Sequence, residues 1–89
     1  MKILCVCGLG QGTSLILRMN VETVLNELGV TADVEHMDVS SASSMQADYI
    51  ITNSELAKSL GDHDATIILV ENYFDQEEIK TALEKHLSQ

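Results

Sequence analysis

Two cysteines, Cys5 and Cys7, and three closely following glycines are the residues of this chain whose types and spacing can do chemistry. The stretch from Cys7 to Ser14 reads CGLGQGTS. The apolar run Ile3-Leu4-Cys5-Val6 precedes it, and a helical pattern follows from about residue 13. A strand, a glycine-rich turn and a helix start in that order make an anion site. The first N–H groups of a helix have no internal partner and carry the positive end of its dipole. Gly8, Gly10 and Gly12 let the backbone turn tightly and come close to a ligand. The same field stabilises a thiolate, so Cys7 reads as a nucleophilic sulfur facing a phosphate-shaped hole. Its blander role is a buried thiol at a strand end. Cys5, set among strand residues, reads as a small buried hydrophobe. Thr13 and Ser14 fit two compatible roles, capping the helix and touching phosphoryl oxygens.

Known phosphate loops differ from this one at identifiable positions. No Gly-Lys-Ser/Thr follows the glycines, and the loop contains no lysine, so it is not a nucleotide P-loop. The dinucleotide fingerprint needs glycine or alanine where Thr13 stands. A cysteine phosphatase loop places an arginine six positions after its cysteine, and that position too is Thr13. Without that guanidinium a phosphatase lacks its bidentate clamp on phosphate. Zinc would need more ligands than Cys5 and Cys7 supply nearby. A Cys5–Cys7 bridge would be strained by its short span.

Cys7, the three glycines, Thr13-Ser14 and the following Leu15-Ile16-Leu17-Arg18-Met19 resemble the phosphocysteine loop of IIB components of sugar phosphotransferase systems. The ascorbate-type branch is the nearest, with the galactitol and lactose types more distant. The likeness is specific over about the first twenty residues and then continues as one of length and element order. It implies that Cys7 takes a phosphoryl group from a phosphohistidine on a IIA partner and hands it to a substrate held by a membrane IIC partner. It further implies that Gly8, Leu9, Gly10, Gln11, Gly12, Thr13 and Ser14 hold the phosphate, with no cofactor and no metal. Two alternatives stay open: a small cysteine phosphatase of the low-molecular-weight type, and a IIB-like sensor domain that is phosphorylated without passing the group on.

The elements that must position this loop follow from periodicity. Residues 2–6 are apolar on both faces, as a central parallel strand requires. Leu17, Val21, Val24, Leu25 and Leu28 form one stripe of a helix over 13–28, and Gly29 reads as its left-handed stop. Residues 31–38 alternate Val30, Ala32 and Val34 against Asp33 and Glu35, which suits an edge strand. The serine-rich segment 39–47 has room for one helical turn. A strand over 48–52 leads to Thr52-x-x-Glu55, with capping-box spacing, and a short helix carrying Leu56, Ala57 and Leu60 inward before Gly61. A fourth strand spans 65–70. The loop 71–74 then leads to a second box, Asp75-x-x-Glu78, and a last helix with the stripe Ile79, Ala82, Leu83, His86 and Leu87.

Alternating strands and helices predict an α/β fold: a four-stranded parallel sheet in the order 2-1-3-4, with helices on both faces. That order reverses between strands one and three, and ligands bind outside the strand ends at such a point. The Cys7 loop and Thr52-Asn53-Ser54 both leave the sheet there. Arg18 falls away from the apolar stripe and is expected in solvent. Tyr73 and Phe74 are expected at the Cys7 end, packing beneath the loop or forming a partner surface. His36, His63 and His86 have no ligand or triad spacing and read as structural or surface residues, with only His86 partly buried.

The 89 residues suit one domain, 1–89, and 45% apolar content with three aromatics fits an aliphatic core. A net charge of −9 opposes binding to nucleic acid or anionic lipid. No apolar run spans a bilayer, and the N-terminus lacks a signal-peptide layout, so the expected location is cytoplasmic with no membrane insertion.

Overall fold

The computed structural model describes residues 1–7, 11–60 and 65–87, with the backbone alone described at 11–14. Its elements are β1 (Lys2–Cys7), α1 (Gln11–Leu28), β2 (Asp33–Asp38), α2 (Val39–Ala42), β3 (Tyr49–Thr52), α3 (Ser54–Leu60), β4 (Thr66–Leu69) and α4 (Gln76–Leu87). The strands form one parallel sheet in the order β2-β1-β3-β4, as the patterning predicted.

β1 lies inside the sheet, and every residue from Ile3 to Cys7 is buried. Both faces are covered because successive side chains enter opposite layers. Ile3, Cys5 and Cys7 join Leu17, Val21, Ile79 and Leu83 from α1 and α4. Leu4 and Val6 join Ala42, Ile50 and Leu60 on the α2 and α3 side. Leu83 has no exposed surface, and cutting such a side chain to alanine costs about 2–5 kcal/mol. The core is therefore a sheet clamped between two helix layers, and β1 feeds its last residue, Cys7, to the C-terminal edge.

α1 begins at Gln11, two residues before the expected start. Glycine disfavours a helix interior by about 1 kcal/mol, which is too little at Gly12 to halt a helix propagated from the stripe beyond it. Thr13 and Ser14 consequently lie in the first turn and not at its cap. The other end matches expectation. Gly29 takes a left-handed φ of 73°, with Gly29 N donating to Asn26 O at 3.2 Å and Val30 N to Leu25 O at 2.9 Å. These two bonds are the Schellman closure.

The serine-rich segment does hold one turn, α2, capped by Asp38, whose carboxylate accepts from Ser41 N at 2.8 Å. Those Ser41 donors also hold the Asp38 carboxyl below its ordinary pKa. Both anticipated capping boxes are corrected. Asn53, not Thr52, caps α3, accepting from Leu56 N at 2.8 Å. Thr52 is instead the buried last residue of β3. Its inward face forbids the outward swing that a cap needs. Asp75 does cap α4, accepting from Glu77 N at 3.0 Å and Glu78 N at 3.3 Å. The Glu78 side chain does not close the box; it turns to the preceding loop.

Candidate functional site at the C-terminal edge of the sheet

Parallel strands deliver their C-terminal residues to one edge. Here those are Cys7 from β1, Asp38 beside it in register on β2, Thr52 from β3, and the segment after β4. The two cysteines reach that edge in different states. Cys5 has no exposed surface, and burial pushes its thiol up to about 12, with Arg18 pulling it back and Glu22 adding to the rise. Cys7 retains 9% exposure at the strand end. Neither is in a disulfide. Cys5 is thus a core residue, as expected. The expected phosphate-holding residues Gly8, Leu9 and Gly10, and the side chains of Gln11, Thr13 and Ser14, lie outside the described residues, as does His63. Gly12 is described only as part of the backbone of α1.

The segment after β4 is tied to β1, α1, α3 and α4. The Tyr73 hydroxyl donates to Val6 O at 3.1 Å, the carbonyl of the peptide unit that carries the Cys7 nitrogen. The Tyr73 carbonyl accepts from Asn20 Nδ2 of α1 at 2.8 Å, and Asn20 Oδ1 accepts from Gln76 Nε2 at 3.0 Å. Tyr73 therefore bridges the two flanks of the cysteine loop, β1 before it and α1 after it. Glu71 accepts from Ser54 N at 2.9 Å and Ser54 Oγ at 3.1 Å. Glu78 accepts from Glu71 N at 2.7 Å and Asn72 N at 3.2 Å. These bonds brace the rim from α3 and α4.

Tyr73 and Phe74 divide the two roles foreseen for them: Tyr73 is buried, and Phe74 is 65% exposed. Burial raises the Tyr73 phenol above its ordinary pKa. Thr52 and the Asn53 backbone pull it partly back, and the nearby Cys7 and Glu71 raise it further. The phenol accordingly stays protonated and remains a donor. Thr52 Oγ1 is buried beside that hydroxyl, whose proton goes to Val6. Cys7, Thr52 and Tyr73 thus converge. The spacing that suggested a cap at Thr52 located the right corner with the wrong role.

Arg18 departs from expectation. It is half-buried, its Nε is sunk without a hydrogen bond, and Glu22 Oε1 at 3.7 Å is an ion-pair contact too long to be one. Its charge is felt at Cys5 of β1 and at Glu35 of β2. Its position beside the stripe lets the apolar stem lie on the sheet. His36 is part-buried as well as His86. Asn20 was missed by periodicity. A poor helix former inside a helix, at the border of its apolar stripe, is the signal that marks a tertiary hydrogen bond. Among the described residues, no group of His, Cys, Asp and Glu is arranged to hold a metal ion, and no helix is long and apolar enough to cross a membrane.

A model of the family described as "PTS system, Lactose/Cellobiose specific IIB subunit" matches residues 2–85. The chain belongs to this family. The IIB subunit is also 38% identical over 90 residues to the "Ascorbate-specific PTS system EIIB component" of Mycoplasma pneumoniae, covering 98% of this chain and 95% of that one. Its fold is similar to that of the lactose-specific IIB component domain from Streptococcus pneumoniae. The TM-score is 0.62 at 20% identity, over 99% of this chain and 95% of the other. IIB subunits are phosphotransferase components of sugar phosphotransferase systems, so phosphoryl chemistry belongs to this chain. In this IIB subunit the carboxylates at this edge are already engaged, Asp38 as the α2 cap, Glu71 by Ser54 and Asp75 as the α4 cap.

Proposed function

We propose that this IIB subunit is a phosphoryl carrier whose working residue is Cys7. The carrying observation is the place of Cys7: the last residue of the central strand, directly before the loop into α1 and where the strand order reverses. The thiolate attacks the phosphorus of a phosphohistidine on a IIA partner. An S–P bond forms, the N–P bond breaks, and the imidazole leaves with its electron pair. The amides and hydroxyls of Gly8, Leu9, Gly10, Gln11, Gly12, Thr13 and Ser14 receive the phosphoryl oxygens. A substrate hydroxyl held by a membrane IIC partner then takes the phosphoryl group and frees the thiolate. Neutral donors without an arginine suit a carrier, since an over-stabilised intermediate would not transfer onward. The protein works in the cytoplasm as one IIB-type domain. Its relative's name makes ascorbate the first substrate to try.

A phosphatase reading has no support in the rim. Glu71 and Asp75, the acids nearest to the role of proton donor, are committed to Ser54 and to the start of α4.

The test is phosphorylation with phosphoenolpyruvate, the general phosphotransferase proteins and a IIA partner. Intact mass should rise by one phosphoryl group in the wild type and in Cys5→Ala, and not in Cys7→Ala. Phosphate mapped to His36, His63 or His86 would overturn the proposal.

A further inference from the structure

We propose that the chain associates with a second copy of itself through β4 and α4, in a two-fold dimer. The two edges of the sheet differ in kind. β2 carries Asp33, Glu35 and Asp38, with Glu35 paired to Lys2. Charges on an edge strand oppose pairing with another chain. β4 reads Thr66-Ile67-Ile68-Leu69 and carries none, and the sequence has no proline to block it. Leu69 is 50% exposed there.

The backbone of β4 is suited to pairing with itself. Thr66 N donates to Asp48 O at 3.1 Å and Val70 N to Thr52 O at 2.9 Å, which turns alternate positions toward β3. The N–H and C=O groups of Ile67 and Leu69 then point away from it. Among the described residues no strand lies on that side. An antiparallel second copy would set Ile67 against its Leu69 and Leu69 against its Ile67, with the two-fold axis at Ile68.

The neighbouring helix repeats this symmetry. Ile67 and Leu69 line a groove whose other wall is α4, including Glu77, Thr81 and Lys85. Glu77 and Lys85 stand four residues on either side of Thr81. A two-fold axis passing Thr81 brings each Glu77 to the second copy's Lys85. Acid early and base late in a helix is common because the dipole favours it. Here that gradient faces the groove at an uncharged strand edge, where it attracts an antiparallel copy and repels a parallel one. A face whose charge reverses end to end fits its own copy better than a partner of uniform sign. β3 separates Cys7's strand from this edge, so pairing does not run along the strand that carries Cys7.

Sedimentation velocity on the full chain from about 10 μM to about 1 mM tests the proposal. The wild type should shift from monomer to dimer over that range. Leu69→Lys, a change at an exposed position, should remain monomeric with an unchanged circular dichroism spectrum. Glu77→Lys and Lys85→Glu alone should each weaken association about tenfold, since symmetry counts each pair twice. The double variant should restore it. A wild type that is monomeric at about 1 mM, a Leu69→Lys dimer, or a double variant no tighter than the singles would overturn the proposal.

Discussion

Replacing Tyr73 by phenylalanine removes one oxygen and leaves the ring, its burial and the Asn20–Tyr73 carbonyl bond in place. What is lost is the 3.1 Å bond to the Val6 carbonyl. Tyr73 is only 6% exposed, so water cannot readily take over that acceptor. A buried group losing its partner costs about 1–3 kcal/mol, and the well-packed ring keeps this case near about 1–2 kcal/mol. In a domain of this size that equals a fall in Tm of about 5–15 °C. Stability alone does not test the role at the site, because any buried tyrosine would show it. The discriminating readout is phosphoryl acceptance from a IIA partner, well below the variant's melting temperature. The freed peptide unit is the one that carries Cys7, so the rate at saturating donor should fall about tenfold while the donor concentration for half-saturation stays put. Tyr73→Leu should lose both the rate and more stability. A Tyr73→Phe protein that accepts phosphate at the wild-type rate would refute the idea that Tyr73 positions the cysteine. One that is as stable as the wild type would refute the burial argument beneath it.

Cys5 should make the protein sensitive to alkali. Its thiol is raised from 9.0 to about 12, so below pH 9 both folded and unfolded chains are protonated and nothing is lost. Between those values only the unfolded chain ionises, and stability falls as pH rises, by about 2 kcal/mol near pH 10.5 and about 4 kcal/mol in full. The urea midpoint of Cys5→Ala should lose less than the wild type's between about pH 8 and pH 10.5; parallel losses would sink this reading. A second expectation concerns hydrolysis. With Thr13 in place of a clamping arginine and Glu71 and Asp75 engaged, the isolated protein should not turn over an aryl phosphate. Steady release of the phenol that disappears in Cys7→Ser would favour the phosphatase reading instead.

Much about this protein was settled by its sequence alone. Period-two and period-3.6 patterns, with Gly29 as a helix stop, are local signals, and local signals place elements. The unbroken apolar run at residues 3–6 put β1 in the middle of a parallel sheet, because only a strand covered on both faces can be apolar throughout. That placement, with the glycine-rich turn and helix start, is what makes Cys7 the candidate and Cys5 a core residue. Tertiary structure alone decided which side chains meet across the chain. Tyr73 reaches Val6 over 67 positions and Asn20 reaches Tyr73 over 53, contacts that no short-range period encodes. It also moved the α3 cap from Thr52 to Asn53. Both residue types cap helices, asparagine the more readily, and β3 pairing keeps Thr52 inside the sheet. Arg18 was misplaced for the same reason. A helical wheel gives the direction of its Cβ, but only the neighbouring strands determine whether its long apolar stem finds a surface to lie on.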